Sequence, residues 1–377
     1  MNRILLKIGL IFTALMGFGA NINVPSLELI THSSYQDGTI VLRTEGELDM
    51  LIQGGYKFGG NIVLGFDNNN LESEILNSNH DGLYFKAANV KINNILGSPL
   101  NLSYFIGEQN PFCSGYSFAE IFNTAPIVTS YSGFLYFPSG VNYEGMYTPT
   151  GTGLQLLLSP IADIFSADIQ AYQDSYINNG QGVYSADLRF LLNFNQIKLE
   201  SFIGGSWPVS DYGYYRLGLM FFASVGPGEF LIQAGIPRWD PATTTLGIDL
   251  LFLLFEVKMN FAMVKIIPSV FLHPGFYQQQ ESGEAGVMDI NLRVGVGDIE
   301  ENLFEGGIEG NFSFKENITD GLEIKVSPYF SLVTPGVVWQ LKINAKLFGV
   351  DSQGEQINME VNPMGMFEAF IGAKAEF

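Results

Sequence analysis

The chain has 377 residues, 47% of them hydrophobic, and 38 Asp and Glu against 18 Lys and Arg give a formal net charge of −20. This acidic balance argues against nucleic acid or another polyanion as a partner. The single cysteine, Cys113, excludes an intramolecular disulfide framework. Beyond the amino terminus, no uncharged apolar run reaches the length of a membrane-spanning helix.

The amino terminus has the pattern of a secretory signal peptide. Arg3 and Lys7 form a basic start, residues 8–16 are apolar, and residues 17–20 supply small residues for cleavage near Gly19 or Ala20. The apolar run is too short to span a bilayer. We predict a signal peptide over residues 1–20, whose removal leaves 16 basic against 38 acidic side chains and a net charge of −22. Residues 21–46 are then a periplasmic or plug segment, or an extension of the first strand.

Residues Glu47–Asp67 alternate between apolar and polar side chains. The even-numbered residues from Leu48 to Phe66 are apolar or Gly, apart from Tyr56, and most of the odd-numbered residues are polar. A period of two puts these sets on opposite faces of a β-strand. The pattern predicts one long strand, about twice the length that a transmembrane strand needs. Such a strand either projects beyond the bilayer or bends at Gly54-Gly55 and Gly59-Gly60.

Residues 107–130 form a long segment that carries aromatic side chains among small polar residues. Long loops of this composition in a barrel can fold inward as a constriction or gate, or remain outside and pack on their neighbours. Both interpretations stay open. The candidate gating residues are Phe112, Tyr116, Phe118 and Phe122.

The same alternation recurs downstream, most clearly in residues 288–296, 304–315, 322–332 and 339–347, with turn signals between the segments. Strand parity then predicts which charged side chains face a polar, net acidic interior. These are Asp187, Arg189, Lys198, Glu200, Asp249, Asp289, Arg293, Glu305, Glu309, Glu323, Lys325, Lys342 and Lys346. Pairing across strands explains most of them as well as a permeation path does.

Motifs for catalysis or for a metal are lacking. The three histidines, His32, His80 and His273, fall in no zinc-binding spacing, and the sequence contains neither a G-x-S-x-G motif nor a phosphate-binding loop. The sequence therefore predicts a protein that is not an enzyme and needs no cofactor.

The last eleven residues alternate down to the carboxy terminus. Phe367, Ala369, Ile371, Ala373, Ala375 and Phe377 form one apolar face. This segment resembles the closing strand of bacterial outer-membrane β-barrels, whose terminal Phe and alternating apolar residues resemble the signal read by their assembly machinery. The resemblance implies that lipid and this machinery are partners. The same odd-position pattern continues upstream, so we predict one strand over Ile357–Phe377 despite Pro363.

These patterns together predict an all-β fold, a membrane-spanning antiparallel up-and-down β-barrel over residues 47–377. Both termini on one side require an even strand number, which we expect to be about 16, within 14 to 18. Such a lumen is too wide for side chains alone to fill. The predicted function is an outer-membrane channel or transporter for small solutes. The alternatives are a surface or adhesion barrel that binds through its loops, and a barrel for hydrophobic solutes similar to fatty-acid transporters.

Overall fold

The computed structural model describes residues 21–24, 26–36, 39–55, 57–68, 84–131, 143–175, 182–208, 213–277, 287–298, 303–315, 322–349 and 364–376. The predicted signal peptide and the terminal Phe377 lie outside these residues. Among the residues described, no helix is long and apolar enough to cross a membrane.

The described residues form one 19-stranded sheet in which sequence neighbours pair antiparallel. Most strands have 9 to 13 residues, which suits a tilted crossing of a bilayer. The strands are β1 (Asn21–Asn23), β2 (Ser26–Gln36), β3 (Thr39–Gly55), β4 (Phe58–Asn68), β5 (Tyr84–Ile92), β6 (Leu100–Glu108), β7 (Thr150–Ile161), β8 (Phe165–Asp174), β9 (Val183–Asn193), β10 (Ile197–Pro208), β11 (Tyr214–Val225), β12 (Gly228–Trp239), β13 (Phe252–Phe261), β14 (Val264–His273), β15 (Val287–Asp298), β16 (Phe304–Lys315), β17 (Leu322–Thr334), β18 (Val337–Phe348) and β19 (Phe367–Glu376).

The sheet closes on itself between β2 and β19, where Thr31 lies opposite Ile371. Strands β2 to β19 therefore form a closed antiparallel barrel of 18 strands. The short β1 continues the line of β2 along β3, with Ile22 opposite Ile52. The predicted up-and-down barrel is confirmed, and its strand number lies at the upper end of the predicted range.

Apolar side chains cover the outside of the barrel and polar side chains fill its inside. On β15, Ile290 and Leu292 are 41% and 49% exposed, whereas their neighbours Asp289 and Asn291 are buried. A lipid environment requires this arrangement, because only apolar side chains can face the hydrocarbon without a desolvation cost. The alternation that predicted the strands is therefore also the alternation that separates the two faces.

Aromatic side chains lie in contact on the outer face near the ends of β10, β11 and β12. The Trp207 and Tyr215 rings lie 6.5 Å apart, and the Tyr215 and Trp239 rings lie 6.4 Å apart. Outer-membrane barrels carry such aromatic girdles where the membrane meets water, because these rings have an apolar body and a polar edge.

Short turns and long connections lie at opposite ends of the barrel. At the short-turn end, residues 162–164, 194–196, 226–227 and 262–263 join successive strands, and this end also holds the start of β2 and the end of β19. The other end, which we call the long-loop end, carries residues 109–149, 240–251 and 274–286. The loop lengths in the sequence predict this division.

The predicted single strand over Glu47–Asp67 is wrong, because the segment is a hairpin. β3 ends at Gly55, whose φ of 84° lies in the left-handed region, and β4 begins at Phe58. The hairpin places Ile52 opposite Ile62, so even-numbered residues share one face on both strands. The apolar period therefore passes through the turn without a change of phase, and alternation alone does not reveal it.

The barrel wall also begins before the predicted boundary at residue 47. Residues 26–46 form β2 and the first part of β3, and the Thr31 and Thr44 hydroxyls lie 3.0 Å apart across them. This segment is thus a strand pair in the wall rather than a plug.

The last strand is shorter than predicted. Residues Met364–Met366 form a 3₁₀ turn, and β19 starts only at Phe367. A 3₁₀ turn cannot take part in strand pairing, so the predicted continuous strand over Ile357–Phe377 does not form, and residues 350–363 lie outside the described residues.

Candidate functional site

The connection between β6 and β7 folds into the barrel. We call residues 109–149 the inner loop, of which 109–131 and 143–149 are described. The two described arms meet where the Phe112 amide donates to the Tyr147 carbonyl at 2.7 Å and the Met146 amide donates to the Phe112 carbonyl at 2.8 Å. A short helix, α1 (Tyr116–Phe122), follows Gly115, whose φ of 83° makes the turn.

Apolar contacts attach the inner loop to the inside of β9–β14. The Phe112 ring lies 5.0 Å from the Phe202 ring, and the Tyr131 ring lies 4.9 Å from the Phe271 ring. Burial raises the pKa of the Cys113 thiol well above its usual value, so this cysteine is a packing residue. The wall contributes a patch of apolar side chains that face inward: Leu191, Phe202, Met220, Phe222, Leu231, Phe252, Leu254 and Phe271.

Buried polar groups on the wall hold the backbone of the inner loop. The Glu200 carboxylate accepts the Cys113 amide at 2.7 Å, and the Glu256 carboxylate accepts the Ser130 amide at 2.8 Å. Charge-assisted hydrogen bonds of this kind are about twice as strong as neutral ones. The inner loop is therefore fixed to the wall by specific bonds as well as by packing.

Two arginines complete the contact between wall and loop. Arg189 donates to Asp168 at 2.7 Å and to the Ser117 hydroxyl of α1 at 2.6 Å. Arg216 makes a bidentate pair with Asp187 at 2.6 and 2.7 Å. Both arginines and both aspartates are buried. These ion pairs therefore organise the loop-packed side of the interior and do not contact water.

The wall from β15 to β18 carries further ion pairs. Lys342 donates to Glu309 at 2.7 Å, and the Tyr329 hydroxyl donates to Glu305 at 2.8 Å. Arg293 lies 3.8 Å from the same Glu305 carboxylate. The chain satisfies these charges across neighbouring strands, as expected inside a barrel.

Water reaches the interior on the side opposite the inner loop. The inward-facing pairs His32–Glu45 and Asp49–Lys86 have N–O distances of 3.3 and 3.1 Å, and Glu28–Lys374 follows at 2.8 Å. Their side chains are 18% to 33% exposed, against 2% or less for Arg189 and Asp168. We call this side, formed by β2–β5 and β19, the open wall.

The comparisons with known proteins show similarity in structure. The search against protein-family models and the search of curated proteins found no match. The chain is similar to the solved structure of Pseudomonas aeruginosa OccK1 (OpdK), with a TM-score of 0.51 and 9% identity over 95% of this chain and 98% of that one. This chain has the fold of a porin-like outer-membrane β-barrel. A mutant of the Rh. blastica porin is also similar, with a TM-score of 0.46 and 10% identity over 95% of this chain and 100% of that one.

The structure of this porin-like barrel places most of the predicted lumen residues on inward-facing strand positions. Fully or largely buried are Asp187, Arg189, Lys198, Glu200, Asp289, Glu305, Glu309 and Lys342; partly exposed are Arg293, Glu323, Lys325 and Lys346. The exception is Asp249. It lies exposed in a 3₁₀ turn, Ile248–Leu250, because the strand starts only at Phe252.

The candidate gating residues divide by position. Phe112 and Phe118 are fully buried, Phe122 packs partly against them, and Tyr116 is 53% exposed. The sequence patterns did not predict the apolar wall patch that receives these rings. The sequence does indicate the patch, because Leu191 and Phe202 are apolar residues at strand positions that otherwise carry inward-facing polar side chains.

The two described histidines are His32, which pairs with Glu45, and His273. His273 is buried against the Phe271 and Tyr277 rings, at 5.0 and 5.3 Å. Within the described residues, no group of three or more His, Cys, Asp or Glu could hold a metal ion.

A cleft opens between the inner loop and the strand ends at the long-loop end. Its empty volume, including space open to solvent, is about 930 Å³. Glu144 of the inner loop lines this cleft with an exposed side chain. The protein around it still reduces the solvation of its carboxylate and raises its pKa. The nearby Glu108 and Asp49 raise this pKa further, whereas Lys86 lowers it. The residues that line the cleft include Glu108, Glu144, Tyr147, Tyr214, Arg238 and Tyr277.

Proposed function

We propose that the protein is an outer-membrane channel for small polar solutes, with its passage along the open wall. The observation that carries this proposal is the contrast between the two sides of the interior. The inner loop fills the side of β8–β14, whereas ion pairs on β2–β5 and β19 remain in contact with water. An 18-stranded barrel is too wide for wall side chains alone to fill.

In this proposal the inner loop is a fixed constriction rather than a swinging gate. Phe112 and Phe118 are packed in the apolar patch, and the backbone is bonded to Glu200 and Glu256. The same packing disfavours hydrophobic-solute uptake, because the apolar patch is occupied by the protein's own aromatic rings. No feature of the described loops favours adhesion.

We expect a modest preference for cations. The open wall carries both signs, with acids such as Glu45 and Asp49 facing His32 and Lys86. Carboxylates beside a narrow passage raise the local cation concentration, and salt screens this effect over about 8–10 Å. The preference should therefore fade at high ionic strength.

Two cysteine variants test the path. Glu45→Cys places a thiol on the open wall, and Ser269→Cys places one beside Tyr131 on the loop-packed side. In planar bilayers, a charged methanethiosulfonate reagent should reduce the current through Glu45→Cys and leave Ser269→Cys unchanged. A wild-type protein that conducts no ions, or equal reactivity of the two thiols, would contradict the proposal.

We also propose export to the outer membrane after cleavage near Gly19 or Ala20, with Phe377 required for assembly. Phe367 and Ile371 are 48% and 59% exposed on the outer face of β19, which leaves the apolar face of the strand accessible. Deleting Phe377 should lower the heat-modifiable folded fraction in cell envelopes. Normal folding of the shortened chain would remove this assembly role.

A further inference from the structure

The cleft at the long-loop end contains charged groups of both signs. Many charges elsewhere inside the barrel meet in ion pairs such as Asp187–Arg216 and Glu309–Lys342. In the cleft, Glu108, Glu144 and Arg238 make no ion pair within the described part of the chain. The cleft therefore presents charges of both signs to whatever enters it.

These charges lie on different elements of the cleft lining, so the acidic and the basic side can each meet one charged group of a ligand. Glu108 ends β6 and Glu144 lies on the inner loop, whereas Arg238 lies near the end of β12. The Arg238 guanidinium lies 4.4 Å from the centre of the Tyr214 ring, which orients it while leaving its N–H groups available. The neighbouring Asp240 carboxylate accepts the Ala242 amide and the Thr243 hydroxyl, and it interacts electrostatically with Arg238 without forming an ion pair.

The remaining lining is aromatic. Tyr147, Tyr214, Phe276 and Tyr277 surround the cleft. The Tyr277 hydroxyl donates to the Gly145 carbonyl at 2.6 Å, so this ring is held in place. Sites with an apolar lining and a few oriented polar groups suit small molecules.

We infer that this cleft is a recognition site for zwitterionic solutes with an apolar side chain, that is, amino acids or very short peptides. The ammonium group meets Glu108 and Glu144, the carboxylate meets Arg238, and the side chain lies against the tyrosines. The inference rests on the proposed channel function, for which it names the class of solute. Arg216 takes no part, because Asp187, Ser206 and Tyr172 accept its hydrogen bonds.

Equilibrium binding to the detergent-solubilised full-length protein tests the inference separately from conduction. The probes share one skeleton: phenylalanine carries both charges, 2-phenylethylamine only the positive one, and 3-phenylpropionate only the negative one. Calorimetry at pH 7 should show the tightest binding for phenylalanine. Each charge-assisted contact contributes roughly a tenfold difference in Kd.

The variants separate the two halves of the site. Arg238→Ala should raise the Kd for phenylalanine and 3-phenylpropionate roughly tenfold and leave 2-phenylethylamine unchanged. The double variant Glu108→Gln with Glu144→Gln should do the reverse. Matched controls are Arg43→Ala, outside the cleft, and Glu229→Gln, at the short-turn end.

Conductance of the same preparations in planar bilayers identifies which proposal fails. A protein that conducts ions but binds phenylalanine no better than the singly charged probes would overturn the zwitterion site and leave the channel standing. The zwitterion site would also be overturned if the protein bound glucose but not phenylalanine, and if none of the variants changed the binding of glucose. Absence of conductance with charge-dependent phenylalanine binding would overturn the channel instead.

Discussion

Replacing Phe118 by alanine tests whether the inner loop is a fixed part of the barrel. The ring is fully buried, stacks on Phe122 at 5.8 Å, and has the Lys198 ammonium 5.8 Å from its centre. Removing a Phe side chain from a packed core costs about 3–5 kcal/mol. If the loop detaches locally, a loss of about 3 kcal/mol lowers the ratio of docked to undocked loop roughly a hundredfold.

Hydrogen exchange and limited proteolysis of the inner loop in the folded barrel measure this ratio. Tyr116→Ala is the matched control, because Tyr116 lies on the same helix and is 53% exposed. Phe118→Ala should lose protection over residues 109–131 and conduct more current, while Tyr116→Ala resembles the wild type. If both variants lose protection equally, or neither does, the buried packing of the inner loop is refuted.

Three further predictions concern the wall and the mouth. Asp187→Asn should destabilise the barrel by about 3–5 kcal/mol in urea titrations, because it leaves Arg216 buried without its carboxylate partner. Glu229→Gln breaks a partly exposed pair and should change stability by about 1 kcal/mol or less. Equal effects of the two variants would contradict the assigned burial. Ile290→Arg, at an outward position, should lower the folding stability in lipid vesicles by about 2–4 kcal/mol if the residue lies near the bilayer midplane. The control Ile290→Val should change this stability little. A tolerated arginine would show that this face does not meet lipid. Because the pKa of Glu144 is raised, acidification protonates this residue before ordinary carboxylates. The cation preference of the wild type, measured by reversal potential, should therefore begin to fall at a higher pH than that of Glu144→Gln. Identical pH profiles of the two proteins would show that Glu144 does not lie on the passage.

Alternation predicted the barrel together with the resemblance of the last strand to outer-membrane barrels, because lipid outside and polar groups inside impose the same period of two on every strand. It failed where a turn preserves that period. The hairpin at Gly55 keeps Ile52 and Ile62 on one face, so two strands looked like one. The prediction that Asp249 faces the lumen was wrong for a different reason. The apolar run around this residue includes a 3₁₀ turn, and the strand begins only after it.

The inner loop shows a different limit of the sequence. Its aromatic residues marked it as a functional segment, but whether it lies inside or outside depends on partners far away in the chain. Glu200 and Glu256 lie 87 and 126 residues from the amides that they accept. Local patterns contain no information on such pairs, and only the inward-facing Leu191 and Phe202 hinted that the wall had an apolar patch to cover.

The closure of the barrel between β2 and β19 has a consequence for how the chain folds. The Ala369 amide donates to the Ser33 hydroxyl across a separation of 336 residues, so the first strand of the ring acquires its second partner only after the whole chain has been made. Until then both edges of the growing sheet present unpaired backbone groups, which invite pairing with other chains. Contacts so distant in sequence also form slowly. Protection of these two edges before they meet is therefore a requirement of this topology itself, whatever solute the finished barrel carries.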